Sequence, residues 1–360
     1  MKNFIILLLI LFVASCKKEP QTEFMWEKQP GQGSALVSAV INDSVFAIAG
    51  EVNSKPLFII CDETGMPEHE YYSELEGAYT SLSYTDSGFF LAGYSDGDIL
   101  LTHIDNEGLM VWDTVISSAT YASLASIISI DEGIFFVTAG NSPDSLVSSS
   151  FETLIIGENG NVLEQNSASP GFRASLTGMV LLPQGFVAAS VTKNYGSGKS
   201  LSSVIALTTE GSVVWETELF NNSSYAAATN AIISNGQELF VCGSLEMIAG
   251  DDILVNSFTA TLGLNGESPD KEFLENSNIG TDLILDSAGN LVVLNKNCLL
   301  ISLVPVPFNN TKEIFRTLDV CDSYDTDIYG NSVSLTSDDK ILIAGQKAGD
   351  FYYALRSGNN

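Results

Sequence analysis

The sequence predicts an all-β fold, a seven-bladed β-propeller with four antiparallel strands in each blade. Three observations lead to this prediction. An apolar strand pattern occurs seven times, the same turns flank each copy, and one strand-like segment near the N-terminus has no partner in its own repeat. Apolar residues make up 45% of the 360 residues and charged residues 16%, which is enough apolar surface for an ordered core.

The repeated unit is a short apolar strand that ends in a small residue. Successive copies end 43 to 53 residues apart. The closing residues are Gly50, Gly93, Gly140, Ser190, Gly243, Asn295 and Gly345. Such regular spacing indicates a repeat architecture, in which neighbouring units bury a continuous core together.

Each copy of the strand has the same neighbours. A shorter alternating strand precedes it across a turn such as TDSG at 85–88, and a third strand follows, as in PLFIICDETG at 56–65. A fourth strand follows a glycine turn in GLMVWD at 108–113 and GSVVWE at 211–216. No segment between them shows a 3.6-residue apolar period long enough for a helix. Four strands in each of seven units predict a propeller.

The two ends of the chain complement each other. The last repeat stops after its third strand, near Gly358, whereas FMWEKQ at 24–29 resembles a fourth strand without a repeat. Trp26 has the same sequence context as Trp112 and Trp215, and packing between blades is the simplest role for all three. We therefore expect residues 24–30 to pair with the last repeat and close the ring, which removes a free sheet edge.

The first residues have the features of a bacterial lipoprotein signal peptide. Lys2 provides a positive start, and the apolar segment at 4–14 is too short to span a bilayer. Val13-Ala14-Ser15-Cys16 resembles a lipobox, although Leu is the usual residue at the position of Val13. A plain secretory peptide with a chance cysteine is the alternative.

This interpretation divides the chain into three parts. Residues 1–15 are the signal peptide, residues 16–23 are a tether lipidated at Cys16, and residues 24–360 form a single propeller domain. The expected location is the bacterial cell envelope, at the outer membrane, and the sequence leaves open whether the propeller faces the periplasm or the surface. No second apolar segment is long enough to span a membrane.

The charge balance excludes one class of partner. Lys and Arg total 15 against 44 Asp and Glu, a formal charge of −29, so the chain lacks the clustered cations of a nucleic-acid binder. Loss of Lys2 with the signal peptide makes the mature charge more negative still. An anionic membrane would repel such a chain, so we expect the lipid to be its only membrane attachment.

Four cysteines remain in the mature chain, namely Cys61, Cys242, Cys298 and Cys321. An exported protein can form disulfides, and four cysteines allow three connectivities. Cys61, Cys242 and Cys298 lie inside apolar, strand-like segments, which favours buried free thiols. No C-x-x-C is present, so neither a metal knuckle nor a redox pair is indicated.

The segments IDNEGLMVW at 104–112 and LTTEGSVVW at 207–215 carry a family resemblance. They are similar to the repeats of PQQ-like and WD-type bacterial propeller proteins, and look closest to propeller lipoproteins with delta-type repeats. The resemblance implies the fold and no particular activity, because propellers serve as enzymes, scaffolds and receptors. His69, Glu164 and Asp270 take the place of the tryptophan in blades 1, 3 and 5, and blade 6 (275–318) is the least regular.

No motif in the sequence predicts catalysis. The only histidines, His69 and His103, are too few for a three-histidine metal site, and structural roles are expected for both. Nucleophile-elbow, zinc-protease and phosphate-loop motifs are absent in a supporting context. Two enzyme alternatives remain. One is a carbohydrate-active propeller with a carboxylate pair, and the other is a quinoprotein-like oxidoreductase, whose relatives have eight blades, calcium and, in many cases, vicinal cysteines.

Calcium is the one cofactor that the sequence suggests, and only weakly. Acidic residues lie near glycine in the stretch 246–252 and in Asp96-Gly97-Asp98. Neither matches a twelve-residue EF-hand loop, so solvated loops are the favoured interpretation.

The expected binding surface is the face that carries the longest loops. The connections between second and third strands are long in blades 3, 4 and 5, at 141–150, 191–202 and 244–257. Rigid folds often place function on such loops, although neutral insertion is the alternative. We therefore predict a binding or assembly module for a protein or glycan ligand.

Aromatic residues occur just before the first strands of five repeats. They are Tyr79, Tyr121, Phe172, Tyr225 and Tyr329. First strands line the channel of a propeller, so we predict that these rings surround its entrance and contact the ligand. The alternative is that each ring packs between adjacent blades.

Overall fold

The computed structural model describes most of the chain. The described residues are 24–118, 122–140, 151–168, 173–194, 200–220, 225–249, 252–267, 269–274, 278–297, 299–305, 312–319 and 328–357. Cys16, Tyr121, Phe172, Cys298 and Cys321 lie outside them.

The chain folds into seven four-stranded antiparallel sheets, which confirms the predicted propeller. Blade 1 contains β2 (Gly33–Asn42), β3 (Val45–Val52), β4 (Lys55–Asp62) and β5 (Pro67–Tyr72). Blade 2 contains β6 (Ala78–Thr85), β7 (Gly88–Ser95), β8 (Asp98–Ile104) and β9 (Met110–Ile116). Blade 3 contains β10 (Leu124–Asp131), β11 (Ile134–Gly140), β12 (Phe151–Gly157) and β13 (Val162–Ala168).

The remaining blades follow in chain order. Blade 4 contains β14 (Arg173–Leu181), β15 (Val187–Asn194), β16 (Ser200–Leu207) and β17 (Val213–Phe220). Blade 5 contains β18 (Tyr225–Ser234), β19 (Glu238–Ala249), β20 (Asp252–Gly263) and β21 (Asp270–Leu274). Blade 6 contains β22 (Gly280–Leu285), β23 (Leu291–Asn295), β24 (Leu299–Pro305) and β25 (Lys312–Asp319). Blade 7 contains β26 (Ile328–Leu335), β27 (Ile341–Lys347), β28 (Asp350–Arg356) and β1 (Phe24–Lys28).

The N-terminal strand closes the ring as predicted. β1 pairs antiparallel with β28, and Trp26 lies opposite Leu355. The Trp26 ring packs against Phe46 of blade 1 and Tyr353 of blade 7, with centroid distances of 6.0 and 5.8 Å. Its Nε1 donates a hydrogen bond of 2.8 Å to the carbonyl oxygen of Glu63. One strand therefore completes blade 7 and also fastens that blade to blade 1.

Trp26 and Trp112 fasten neighbouring blades in the same way. Trp112 of blade 2 donates from Nε1 to the carbonyl oxygen of Glu158 in blade 3, again at 2.8 Å. The Trp26 ring lies where a Cβ on Gly65 would be, at 2.5 Å, and Gly65 has a φ of +73°, so this turn requires glycine. His69 holds the corresponding position against Gly108 of blade 2. The expected packing role is confirmed for these residues.

The core consists of apolar layers between successive blades. One cluster joins Phe58 of blade 1 to Phe89 and Leu91 of blade 2, and another joins Phe90 of blade 2 to Phe135 of blade 3. The second and third strands of the blades are therefore buried on both faces, which explains why the sequence shows continuous apolar strands there.

Two of the predicted long loops are largely strand. In blade 5, β19 and β20 extend the hairpin until Ala249 pairs with Asp252, so the expected loop at 244–257 is wrong. In blade 4, Asn194 pairs with Ser200, which limits the expected loop at 191–202 to residues 195–199. Pairing satisfies the main-chain hydrogen bonds that loop conformations would leave to water. The predicted loop at 141–150 lies outside the described residues.

Candidate functional site

A central channel forms a cavity of about 680 Å³ lined by the innermost strands. We call the side with the connections between second and third strands the upper face, and the opposite side the lower face. Hydroxyl and amide side chains alternate with aliphatic ones along the channel wall. Among the described residues that line it, Asp282 and Lys296 are the only charged side chains, and no histidine is present.

A β-bulge near the upper end of the innermost strand shapes this wall. The bulge projects one residue out of register in six blades. The bulged residues are Leu36, Thr80, Thr177, Asn230, Thr281 and Asn331. In blade 3 the irregularity instead lies at the lower end of β10, between Ser129 and Asp131.

Five bulged side chains form a polar belt around the channel. Each donates a hydrogen bond to a main-chain carbonyl of the next blade, over distances of 2.6 to 2.9 Å. The donor and acceptor pairs are Thr80 with Ala125, Thr177 with Thr229, Asn230 with Gly280, Thr281 with Gly330, and Asn331 with Ala35. The belt therefore holds the ring together through five hydrogen bonds between neighbouring blades.

Asp282 connects three blades through a second polar network. Its Oδ2 accepts hydrogen bonds from Ser332 Oγ at 3.0 Å and from the Val333 amide at 2.9 Å. Ser332 Oγ in turn lies 3.2 Å from Ser38 Oγ of blade 1. Burial raises the pKa of Asp282 to about 6, although these hydrogen bonds favour its charged form.

At the upper mouth Lys296 lines the channel, and a tyrosine lies beside it. Tyr329 of blade 7 is 41% exposed, and Lys296 Nζ of blade 6 lies 5.7 Å from the centre of its ring. The main chain fixes both residues, because the amide of Lys296 donates to Ile279 and its carbonyl accepts from Gly330. A flat ring beside an exposed ammonium can contact a polar ligand from two directions.

The prediction for Tyr79 is wrong. Its side chain is fully buried between blades 1 and 2, and its hydroxyl forms a 2.9 Å hydrogen bond with Thr102 Oγ1. The bulge explains the error, because Thr80 projects into the channel and Tyr79 points into the seam. Burial raises the pKa of the Tyr79 phenol far above its ordinary value.

The aromatic residues are not equivalent in register. Tyr79 immediately precedes its bulge, whereas Tyr329 is one position earlier on its strand, before Gly330. A shift of one residue turns a strand side chain to the opposite face. Tyr225 lies in β18 opposite Met247, four positions before the residue that precedes its bulge. Its side chain, like all of Tyr121 and Phe172, lies outside the described residues.

Two of the cysteines and one histidine are buried as the sequence predicts. Cys61 and Cys242 are free and buried, as predicted, and burial raises the pKa of the Cys61 thiol to about 12. His103 is buried in blade 2 and stacks on Phe90 at 4.1 Å, which confirms its structural role.

Among the described residues, neither calcium candidate shows a ligand cluster. Asp98 accepts a hydrogen bond from the Ser118 amide, and the stretch 246–252 belongs to the extended hairpin of blade 5, with 250–251 outside the described residues. No group of three or more His, Cys, Asp and Glu suited to a metal ion occurs in the described part of the chain. No helix there is long and apolar enough to cross a membrane.

Sequence reasoning missed Asp282 and Lys296. Asp282 directly follows the bulged Thr281. Counting positions back from Asn295, which closes the repeated strand, could therefore have placed Asp282 in the channel wall. Lys296 directly follows Asn295, and this adjacency places it at the upper end of its strand. No signal in the sequence indicates that Lys296 meets Tyr329 from another blade.

Comparisons with known proteins show similarity in fold and in nothing further. No family model matches this chain, and no curated protein does. Among solved structures, the WD40 propeller domain of Doa1 matches with a TM-score of 0.60 and 10% identity over 94% of this chain and 98% of that one. The Neurospora crassa Pan2 WD40 domain matches with a TM-score of 0.60 and 11% identity, over 95% and 99%. The Cps50 (Swd1) propeller of Myceliophteria thermophila matches with a TM-score of 0.60 and 11% identity, over 94% and 100%. At such identities these likenesses establish the propeller fold alone.

Proposed function

We propose that this chain is a binding module of the bacterial cell envelope that takes a glycan at the upper mouth of its channel. A lipid on Cys16 attaches it to the outer membrane in this proposal. The observation that carries the ligand site is the exposed Tyr329 ring beside Lys296, above a wall rich in hydroxyl and amide groups. A rigid ring with an accessible mouth is consistent with binding or assembly.

The chemistry of the mouth favours a sugar over a peptide. A tyrosine ring stacks on the apolar face of a pyranose, and the neighbouring ammonium can pair with the carboxylate of an acidic sugar. Peptide anchors usually enter apolar pockets, whereas polar belt residues surround the channel near this mouth. An acidic oligosaccharide is therefore the first ligand class to examine.

Titration calorimetry with neutral and uronic-acid oligosaccharides tests the site. Tyr329→Ala should abolish binding of both kinds, and Lys296→Ala should weaken acidic sugars more than neutral ones. Tyr84→Ala is the matched control, because Tyr84 is 43% exposed but lies beside the lower turn of blade 2. Sugar binding that Tyr329→Ala leaves unchanged, or binding of peptides alone, would contradict the proposal.

The anchor needs a separate experiment. Wild-type protein should carry acyl mass and partition into detergent, whereas Cys16→Ser should remain unprocessed or soluble. If wild type has no acyl mass and the variant still fractionates with membranes, the lipobox interpretation is wrong. This result would leave the glycan site unaffected, since the two parts of the proposal rest on different residues.

No observation favours the enzyme alternatives over binding. A carbohydrate-cleaving site needs two carboxyl groups on either side of the scissile bond. Asp282 is the one carboxylate among the described residues of the channel wall, and three hydrogen-bond donors occupy it. The ring has seven blades, whereas the quinoprotein resemblance implies eight. An assay for hydrolysis of any bound glycan completes the test.

A further inference from the structure

The outer rim of blades 2, 3 and 4 is apolar although it faces solvent. The fourth strand of each of these blades begins, just after its glycine turn, with large aliphatic side chains that are 43% to 61% exposed. We call this set the apolar rim, and its members are Leu109, Met110, Val111, Leu163, Val213 and Val214. Several such residues in neighbouring blades indicate a contact surface, because monomers rarely expose contiguous apolar patches.

Inter-blade contacts make the apolar rim continuous. Trp112, next to Val111, donates to the Glu158 carbonyl in the turn that leads to Leu163. Asn166 Nδ2 of blade 3 likewise donates to the Glu210 carbonyl, in the turn that leads to Val213. The lower ends of β9, β13 and β17 are therefore held side by side along one arc of the ring. Each of these strands is also the outermost strand of its sheet, with its outer main-chain edge available for pairing.

The charge around this arc has a single sign. The sequence contains no Lys or Arg between Lys55 and Arg173, whereas that interval contains 18 of the 44 acidic residues. Exposed acids flank the apolar rim on every blade that contributes to it. They are Glu107 and Asp113 in blade 2, Glu158 and Glu164 in blade 3, and Glu210 and Glu218 in blade 4.

Lys193, the one basic side chain that the structure describes in blade 4, does not compensate this charge at the surface. The side chain of Lys193 is 7% exposed and forms an ion pair with Glu216. The apolar rim therefore lies in a strongly negative field, which attracts cationic proteins and raises their association rate.

We infer that the apolar rim is a docking surface for a basic protein segment that combines apolar side chains with Lys and Arg. The apolar residues supply buried contact area, and the surrounding acids select the sign of the partner. The same field opposes the other two candidate occupants. An anionic bilayer is repelled, and so is a second copy of this chain, which presents the same negative surface.

Binding of short synthetic peptides to the full chain tests this inference. The probe is a peptide of alternating Lys and Val, with Glu-Val and Lys-Ser peptides of equal length as controls. We expect only the Lys-Val peptide to bind well, with an affinity that falls as salt is raised. Equal binding of the Glu-Val peptide, or no Lys-Val binding at about 1 mM peptide, would overturn the inference.

Substitutions locate the peptide on the protein. Leu109→Ser, Leu163→Ser and Val213→Ser together should lower Lys-Val affinity about ten-fold, and melting temperature should stay unchanged because all three side chains are exposed. The control combines Met66→Ser and Phe273→Ser, whose parent residues are 55% and 52% exposed on the rims of blades 1 and 5. Equal loss in both variants would place the peptide elsewhere and refute the inference.

The two rival occupants, an anionic bilayer and a second copy of this chain, are tested with the same variants. Sedimentation at raised salt should show a monomer, and vesicles of phosphatidylcholine, with or without phosphatidylglycerol, should not bind chain that lacks the lipid. A dimer or vesicle contact that the three serine substitutions abolish would assign the apolar rim to self-association or to lipid instead.

Discussion

Blades 7 and 1 add a ladder of polar contacts to the apolar cluster that they share, whereas blades 1 and 2 meet mainly through packed aromatic and aliphatic side chains. At the first seam, Asn331 Nδ2 donates to the Ala35 carbonyl at 2.8 Å, and Ser332 Oγ accepts from the Ser38 amide at 3.2 Å. At the lower face, Ser337 donates from its amide and its hydroxyl to the carboxylate of Asp43. The ladder thus extends from the channel wall near the upper mouth to the lower turns.

The seam between blades 1 and 2 has a different composition. Leu36 takes the bulge position that carries a polar residue in the belt, and Tyr79 belongs to the apolar cluster against which Val37 packs. Phe58 and Phe89 pack across the seam at 5.1 Å. Apolar contacts tolerate small shifts, whereas hydrogen bonds fix direction and register. The polar seam is the one where the two chain ends must find each other, so its contacts specify the closed register.

Removal of the closing strand is the strongest way to break the polar seam. Deletion of residues 24–30 should lower the free energy of unfolding by more than loss of the half-buried Trp26 ring alone, because it also removes the pairing of β1 with β28. Urea unfolding measures this, with Trp112→Ala as the control for an equivalent tryptophan elsewhere in the ring. A deletion that costs no more than Trp112→Ala would show that pairing of β1 with β28 contributes nothing.

The apolar seam should depend on Tyr79 almost as strongly. Tyr79→Ala should cost about 3–5 kcal/mol, because it leaves a cavity between two sheets. Tyr79→Phe keeps the ring and should cost about 1 kcal/mol, the contribution of the hydrogen bond with Thr102. Tyr329→Ala is the exposed counterpart and should stay within about 0.5 kcal/mol of wild type. Similar losses at Tyr79 and Tyr329 would contradict the assignment of these two rings to seam and mouth.

A smaller effect is expected when one seam is given the chemistry of the other. Asn331→Leu copies Leu36 into blade 7 and leaves the Ala35 carbonyl without its donor, which should cost about 1–3 kcal/mol. Thr80→Val makes the corresponding change between blades 2 and 3 and serves as the comparison. Were Asn331→Leu neutral in thermal unfolding, directional contacts would not distinguish the closing seam.

The smallest effect concerns pH. Burial raises the pKa of Asp282 to about 6 from 3.8, so the folded chain binds this proton more tightly than the unfolded chain. Its contribution to stability is therefore present below about pH 4 and is lost as pH rises through about 6. Asp43 has the opposite sign, because the hydrogen bonds from Ser337 lower its pKa. Asp282→Asn should remove a fall in melting temperature with rising pH, whereas Asp43→Asn should remove a rise in melting temperature with rising pH. If both substitutions changed the pH dependence of the melting temperature in the same direction, these assignments would be wrong.

The sequence was sufficient to predict the ring and its closure, because periodic apolar strands and glycine turns are local signals. The orientation of single rings was not predictable in the same way. Tyr79 and Tyr329 look alike in sequence. Tyr79 lies one residue before the bulge of its strand and Tyr329 lies two residues before the bulge of its own, and only the Tyr79 ring points into a seam. The prediction of a loop at 244–257 was wrong because these residues pair with each other as strands, which composition alone does not reveal. Lys296 meets Tyr329 only through the assembled ring, so no local pattern could identify that contact.

The place of β1 in blade 7 also has a consequence for the order of assembly. Glu27 and Lys347 lie 320 positions apart in the chain and meet across that blade. Contacts between such distant positions are slow to form, and a nascent chain cannot form this one until its last repeat has emerged. Until then β1 lacks the sheet to which it pairs. Emergence of β28 therefore acts as the trigger for closure, and a chain interrupted before β28 would leave the outer edge of β27 unpaired and β1 without a sheet.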